Sequence, residues 1–229
     1  MILYCHAGNA RSNNEYWRMY VDGHAQVLLD FGIEVLDSYG EEWADNPNVR
    51  LIIAKDETGK AVGGIKLHKF HSNYRLPVQQ AISEESPELD KMIEARLSVG
   101  VGEICGLWIS KDVSRRGLAH YLTKVAIAIC EAEKTEIIFG ISSPFTLNMF
   151  TSLGYEVIHS LGNDGSYFYP TPDFISTAVA IYDTIKLPLA EAEHRERIFS
   201  LRTKPIQSEM ETHGGVQTYI HYNLSEIVS

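Results

Sequence analysis

The distribution of apolar and polar residues along the chain predicts strands and helices in alternation. Two apolar, β-branched runs at 50–55 and 61–70 flank a turn at 56–59, and together they predict an antiparallel hairpin. After a second turn at 111–114, apolar residues recur at steps of four, three and four, which predicts a helix over 116–134 with one buried face. The residues of that face are Leu118, Leu122, Val125 and Ile129.

The remaining segments complete the pattern. Helices are predicted over 12–31, with Ser12 and Glu15 as a capping box, and over 87–97, 145–153 and 189–201. Strands are predicted over 102–110, 136–141, 155–159, 176–182 and 216–222. A hairpin followed by strands interleaved with helices predicts an α/β or α+β sandwich around a mixed sheet. We expect one domain over 1–229, with a core at about 50–160 and a C-terminal extension over 161–229.

Composition and the length of the apolar runs argue against two classes of interaction, while one local basic patch stays open. The 229 residues carry 20 Lys and Arg against 30 Asp and Glu, a net charge of −10. A general nucleic-acid surface needs an excess of basic residues, so none is expected. The longest apolar run near mid-chain, 125–130, is far shorter than the roughly 20 residues that cross a bilayer. We therefore expect no membrane span.

Cysteine and histidine usage points to a reduced, metal-free protein. Cys5, Cys105 and Cys130 are odd in number and far apart, so they form neither a disulfide framework nor a C-x-x-C pair. The first residues lack the basic and apolar regions of a signal peptide. These features predict a cytoplasmic location. The nine histidines show no metal-ligand spacing, so no metal is expected.

The segment over 102–119 carries the chemistry. It is a predicted strand, a tight turn and the start of a helix, whose free backbone N–H groups and dipole favour a phosphate. Arg115 and Arg116 add positive charge, and Gly117 lets the backbone approach an anion closely. The turn is neither a Walker loop nor a dinucleotide fingerprint.

Two motifs resemble those of the GNAT superfamily of N-acyltransferases. The turn at 114–119 reads Ser-Arg-Arg-Gly-Leu-Ala and is similar to the family's [QR]-x-x-G-x-[GA], matching at Gly117 and Ala119 and departing at Ser114. The run at 152–155, Ser-Leu-Gly-Tyr, is similar to the family's Lys-Leu-Gly-Phe ending. The resemblance covers about 50–160 and implies a GNAT-like fold, with a mixed central sheet and helices on both faces.

The resemblance implies direct attack of an amine on acetyl-CoA or a longer acyl-CoA. The backbone of residues 116–120 would hold the pyrophosphate, and a backbone N–H at Trp108 or Ile109 would polarise the thioester carbonyl. The implied donor-binding residues are Trp108, Ile109, Arg115, Arg116, Gly117, Leu118, Ala119, His120, Ser143 and Phe150.

The resemblance also bears on proton transfer. Glu103 resembles the base that the histone-acetylating branch carries in this strand, and the alternative is a surface glutamate at a strand end. Phe150 stands where many relatives have the tyrosine that protonates the departing thiolate. Water or Ser143 must then supply that proton. A catalytically degenerate member that only binds an acyl ligand is the rival interpretation.

A narrower resemblance concerns the donor and the acceptor. The run at 62–67, Val-Gly-Gly-Ile-Lys-Leu, with Leu-Pro at 76–77 and a long insert before Glu103, is similar to N-acyl amino acid and acyl-homoserine-lactone synthases. Those relatives take acyl groups from acyl carrier protein or CoA. The net charge disfavours docking of an acidic carrier. A patch of Lys111, Arg115, Arg116 and Lys124 would offset it. The acceptor is expected to be a small-molecule or peptide amine, and a homodimer stays open.

Overall fold

A computed structural model describes residues 1–10, 14–30, 43 and 46–228. Its helices are α1 (Asn14–Asp30), α2 (Pro77–Ile82), α3 (Glu88–Glu94), α4 (Leu118–Ala132), α5 (Leu147–Ser152) and α6 (Ala192–Thr203). Its strands are β1 (Ile2–Asn9), β2 (Val49–Asp56), β3 (Ala61–Lys69), β4 (Val101–Ile109), β5 (Ile137–Ser142), β6 (Glu156–Val157), β7 (Ser166–Phe168), β8 (Ile175–Ile181), β9 (Ile206–His213) and β10 (Val216–Asn223).

The strands form one mixed sheet in the order β6-β8-β5-β4-β3-β2-β1-β10-β9, and β7 pairs with β8. The predicted hairpin is β2 and β3, which pair antiparallel. Parallel pairing occurs between β1 and β10 and between β4 and β5. The strands that follow residue 160, β7 to β10, thus join the same sheet as the strands of the predicted core.

Helices cover both faces of the sheet, as predicted. The apolar side of α4 packs with Met149 of α5 and Ile198 of α6 over one face, on residues such as Ile65 and Ile104. The opposite face is covered by α1 near β2 to β4 and by α2 and α3 near β5 and β8.

Gly23 explains how closely α1 packs on the sheet. A Cβ at this position would lie 2.2 Å from Cη2 of Trp108, so the helix can rest on the indole only if residue 23 has no side chain. The cost of glycine within a helix is therefore offset by contact with β4.

The β4 and β5 strands part within the sheet. They pair only from Val101 to Glu103, opposite Ile137 to Phe139, while β5 continues along β8. Beyond Glu103, β3 is the only described strand that pairs with β4. There Ile65 of β3 faces two β4 residues, Gly106 and Leu107, in a bulge where Gly106 has φ +62°.

Several elements differ from the sequence predictions. The strands β1, β7 and β9 and the helix α2 were not predicted. The predicted strand over 155–159 shortens to Glu156–Val157, and the helix predicted from 116 begins at Leu118 because Gly117 has a left-handed backbone. The proposed N-cap Ser12 lies outside the described residues. No described helix is both long enough and apolar enough to span a membrane.

Candidate active site

The phosphate turn between β4 and α4 has an unusual backbone. Arg115 has φ +62° and Gly117, the N-cap residue of α4, has φ +75°, so two residues of the turn are left-handed. A Cβ on Gly117 would lie 2.5 Å from Cβ of His213, which only glycine avoids. Gly117 adds no side chain of its own beside the first N–H groups of α4, and such a helix start favours an anion. Arg116 precedes the helix, so the predicted run of helical donors from 116 is corrected to start at Leu118.

A cavity of about 370 Å³ opens on this turn. Six predicted donor-binding residues line it: Ile109, Arg115, Gly117, Leu118, Ala119 and His120. The other four are absent from its lining: Trp108, Arg116, Ser143 and Phe150. The cavity therefore runs from the end of β4 across the turn to the first turn of α4, and its apolar wall includes Met149 of α5.

Among the cavity residues that sequence reasoning missed is His213, at the end of β9. The two-residue turn Gly214-Gly215 links β9 to β10, and both glycines have positive φ. A Gly-Gly pair between two extended runs is the signal that could have revealed this hairpin. The hairpin carries the His213 ring to 4.8 Å from the His120 ring. Burial, with the charges of His213 and His194, lowers the pKa of His120 to about 4.

Trp108 serves as packing beneath α1. Its side chain is buried, and its Nε1 would lie 2.7 Å from a Cβ on Gly64. The side chain of Trp108 therefore belongs to the core and not to the donor site. Ile109, one residue later, faces the cavity.

Glu103 is buried, so the alternative of a surface glutamate is wrong. The backbone N–H of Val78, in the first turn of α2, donates to its Oε2 at 2.6 Å. Burial raises the pKa of Glu103 to about 8, and the Val78 hydrogen bond and the charge of Lys66 only partly oppose this rise. A carboxylate with a pKa near neutrality can accept and release a proton.

Glu103 shares its face of the sheet with other buried polar side chains. It pairs across the strands with His68, and Cys105 pairs with Lys66, so all four project toward the face that α1 and α2 cover. Lys66 and His68 are buried, whereas Cys105 is half-buried where β4 has left β5. Apart from the alternation of inward and outward side chains along β3, the sequence carries no signal for this cluster.

The region of the missing tyrosine has a different hydroxyl. Phe150 is buried, and its ring lies 4.9 Å from that of Tyr155 in an edge-on contact. The Tyr155 hydroxyl is buried and lacks a hydrogen-bond partner in the described structure. Burial, with the charges of Cys130, Glu103 and Cys105, raises its pKa well above the ordinary value. Ser143 instead contacts the Thr146 hydroxyl at 3.0 Å, at the edge of the cavity.

Within the described ranges, no group of three or more histidine, cysteine or acidic side chains is arranged to hold a metal ion. The rings of the described histidines near the cavity make tilted contacts instead, including His120 with His194, whose ring centres lie 5.8 Å apart.

Solved structures share this fold. FeeM, an N-acyl amino acid synthase from uncultured soil microbes, superposes with a TM-score of 0.60 and 14% identity, over 78% of this chain and 90% of that one. MesI, a CoA-dependent acyl-homoserine lactone synthase, superposes with a TM-score of 0.57 and 16% identity, over 86% of this chain and 95% of that one. A chain of the NatC complex bound to Gag peptide and CoA superposes with a TM-score of 0.52 and 16% identity, over 79% of this chain and 98% of that one. At these identities the likeness establishes the fold.

No curated protein matches the chain. The profile of the Acetyltransferase (GNAT) family matches residues 13–155, more than half of the sequence. That range contains the phosphate turn, the parted strands and the Leu-Gly-Tyr ending. The chain therefore belongs to the GNAT family of acetyltransferases.

Proposed function

We propose that the chain transfers an acyl group from acyl-CoA to a primary amine by direct attack. The observation that carries this proposal is the parting of β4 from β5 immediately after Glu103, with the phosphate turn at the far end of the same strand. A buried carboxylate and an anion site thus flank a stretch of β4 along which an extended pantetheine arm can lie.

The bulge in β4 is the best place for the thioester carbonyl. At about 3.3 Å per residue, Ile109 lies roughly 20 Å along the strand from Glu103, whereas Gly106 lies roughly 10 Å away. The base and the carbonyl must both reach the attacking nitrogen, so a backbone N–H of the bulge polarises the carbonyl. Ile109 then contacts the pantetheine arm, and Trp108 holds α1 in place.

The proton balance uses groups on both sides of this stretch. The ammonium gives one proton to Glu103, directly or through water, and the free amine attacks the carbonyl carbon. A C–N bond forms as the C–S bond breaks. The nitrogen loses a second proton, and the departing thiolate gains one. We assign the protonation of the thiolate to the Tyr155 hydroxyl, whose raised pKa keeps it protonated at neutral pH. The resulting phenolate takes up the second nitrogen proton through water, and Glu103 releases the first to solvent, so that each transfer releases one proton.

CoA fits the turn better than a carrier protein does. Of the four residues that could have formed a basic docking patch, Lys124 is buried and Lys111 is paired with Asp30 at 3.1 Å. The basic surface is thereby reduced to Arg115 and Arg116, too little to attract an acidic carrier to a chain of net charge −10. The three cysteines are free thiols, in keeping with a proposed cytoplasmic location.

Calorimetric titration with CoA and with pantetheine tests the donor site. We expect CoA to bind at least tenfold more tightly, because only CoA carries the phosphates. Equal affinities, or no binding, would exclude the phosphate assignment.

A thiol-release assay with acetyl-, octanoyl- and palmitoyl-CoA across a panel of primary amines tests transfer. Release that depends on the amine supports the enzyme. Tight binding of CoA without release by any pair would support an acyl-ligand binding protein instead.

A further inference from the structure

Lys66 is a buried cation that forms no ion pair with a described residue. Its side chain is 8% exposed, and its Nζ lies 4.1 Å from the centre of the Trp43 ring and 5.2 Å from that of Tyr20. Among the described residues no carboxylate forms a salt bridge with it. Burying an ammonium group is unfavourable unless an anion compensates, and aromatic faces compensate only in part.

Other polar groups beside Lys66 also lack partners. In the part of the chain that the structure describes, Nε2 of His68 and Nε1 of Trp108 are buried and have no hydrogen bond. Both residues project from the same sheet face as Lys66, the face that α1 and α2 cover. Native interiors leave few such groups unpaired, so several on one face indicate a place where a polar ligand completes the bonding.

The distance between Lys66 and Glu103 indicates what kind of molecule could contact both side chains. In the register of β3 and β4, Lys66 faces Cys105 and Glu103 faces His68, so Lys66 and Glu103 are diagonal neighbours. Such neighbours lie about 7–8 Å apart at the backbone, within reach of two long side chains. In an α-amino acid one carbon atom separates the nitrogen from the carboxylate carbon. One such molecule can therefore place its amine at Glu103 and its carboxylate at Lys66.

Solvent reaches this face through the gap in the sheet. Cys105, Gly106 and Leu107 are only half-buried because β5 no longer covers that part of β4. The Lys66 stem passes the bulge, since a Cβ on Gly106 would lie 3.0 Å from Lys66 Cε. The ammonium thus lies beside the stretch where the thioester carbonyl is proposed to lie.

We propose that the acceptor is an amine that also carries a carboxylate, as an α-amino acid does, and that Lys66 binds this carboxylate while Glu103 takes the proton of the amine. The inference rests on the proposed transfer reaction and names its acceptor class. The bonds made and broken are those of that reaction, and the acceptor carboxylate stays unchanged.

The first test needs no variant. Leucine, leucinamide and 3-methylbutylamine share a side chain and differ at the carboxylate, and each is assayed with the acyl-CoA that gives the fastest thiol release. We expect kcat/KM for leucine to exceed that for leucinamide and for the plain amine at least tenfold. Equal or higher values for either neutral acceptor would overturn the proposal.

Variants of Lys66 test whether this residue causes the preference for an acceptor with a carboxylate. Lys66→Met keeps most of the packed stem and removes the charge. It should raise KM for leucine about 10- to 100-fold, the usual size of a charge-assisted contact, and change the values for leucinamide by less than threefold. Lys66→Arg should restore part of the preference. Lys69→Met, at the end of the same strand, is the matched control and should behave as wild type. An equal loss for the acid and the amide would count against a carboxylate contact.

Direct binding separates this inference from the proposed function. If no acyl-CoA and amine pair releases thiol, the transfer proposal fails. N-octanoyl-leucine and its amide are then titrated into the protein. Tighter binding of the acid, lost in Lys66→Met, supports the carboxylate site without turnover. Equal binding of acid and amide, or none, overturns it. If Lys66→Met does not fold, the affinities of the wild-type protein decide: tighter binding of the acid than of the amide supports the carboxylate site, and equal binding overturns it.

Discussion

The backbone N–H of Val78 donates a 2.6 Å hydrogen bond to Oε2 of Glu103, which joins the first turn of α2 to the third residue of β4. The proposed base is therefore also a structural contact. Its two roles can be separated by choosing a substitution that keeps one and removes the other.

Glu103→Gln should keep the contact with Val78, because the amide oxygen can accept the same hydrogen bond. It should lower kcat by about 10²–10⁴-fold, the usual contribution of a general base, and leave the affinity for CoA unchanged. Steady-state kinetics and calorimetry check both. Glu156→Gln, on the exposed β6 strand, is the control. Turnover close to wild type would exclude Glu103 as the base.

The pH dependence of Glu103 has a definite sign for both activity and stability. A base with a pKa of about 8 must be ionised, so kcat/KM should rise with pH through about 8, and Glu103→Gln should lose this limb. The folded state holds the proton between pH 4.5 and 8 while the unfolded state releases it, so the contribution of Glu103 to stability should fall as pH rises through that window. Urea unfolding of wild type and Glu103→Gln across this range measures the difference, and parallel curves would contradict the raised pKa.

Gly117→Ala tests the phosphate turn. The left-handed φ costs an alanine about 1–2 kcal/mol, and the new Cβ meets His213 at 2.5 Å, so affinity for CoA should fall at least tenfold. Gly59→Ala is a matched control, because Gly59 has φ +86° and a Cβ there would meet no heavy atom within 4 Å. Gly59→Ala should lower the free energy of unfolding by a similar amount and leave the affinity for CoA unchanged. A loss of affinity in both variants would point to a general effect of destabilisation.

Tyr155→Phe tests the proton donor. The hydroxyl has no hydrogen bond to lose among the described residues, so the variant should fold normally. We expect kcat to fall at least tenfold with little change in KM, because the thiolate leaves without a proton. Tyr182→Phe, a half-buried tyrosine packed on Phe139, serves for comparison. If Tyr155→Phe keeps full turnover, the proton comes from water or from Ser143.

Truncation after Ser160 tests the one-domain prediction. The shortened chain loses β8, which lies between β5 and β6, and β10, which lies beside β1. We expect it to be insoluble or unfolded by circular dichroism. A soluble fragment that binds CoA would show that the core is a domain by itself, as would two stable halves after limited proteolysis.

The sequence predicted the parts of the fold that rely on local signals. The face of α4 from Leu118 to Ile129 and the hairpin around Gly59 follow from periodicity and turn chemistry, and both are confirmed. The β9 strand was missed because its residues are mostly exposed and polar, and its partner β10 fixes it.

The site was also predictable only in part, because some of its residues are brought together by strand pairing and not by a local pattern. Gly117 and its neighbours form a local motif, whereas His213 and Lys66 reach their places through the register of strands. No local pattern marks a residue as buried and unpaired. The burial of Glu103 likewise depends on α2, a short helix whose apolar contacts with the sheet are long-range.

The parallel pairing of β1 with β10 has a consequence for how the protein is made. Asn9 bonds to Glu226 across 217 residues of sequence, and Leu3 lies opposite Ile220. During synthesis β1 leaves the ribosome long before its neighbour exists, and closing so large a loop is slow. One edge of the nascent sheet therefore stays open for most of translation, where it can pair with other chains. Chaperone demand during expression should accordingly depend on how fast the codons of β10 and of the residues after it are translated.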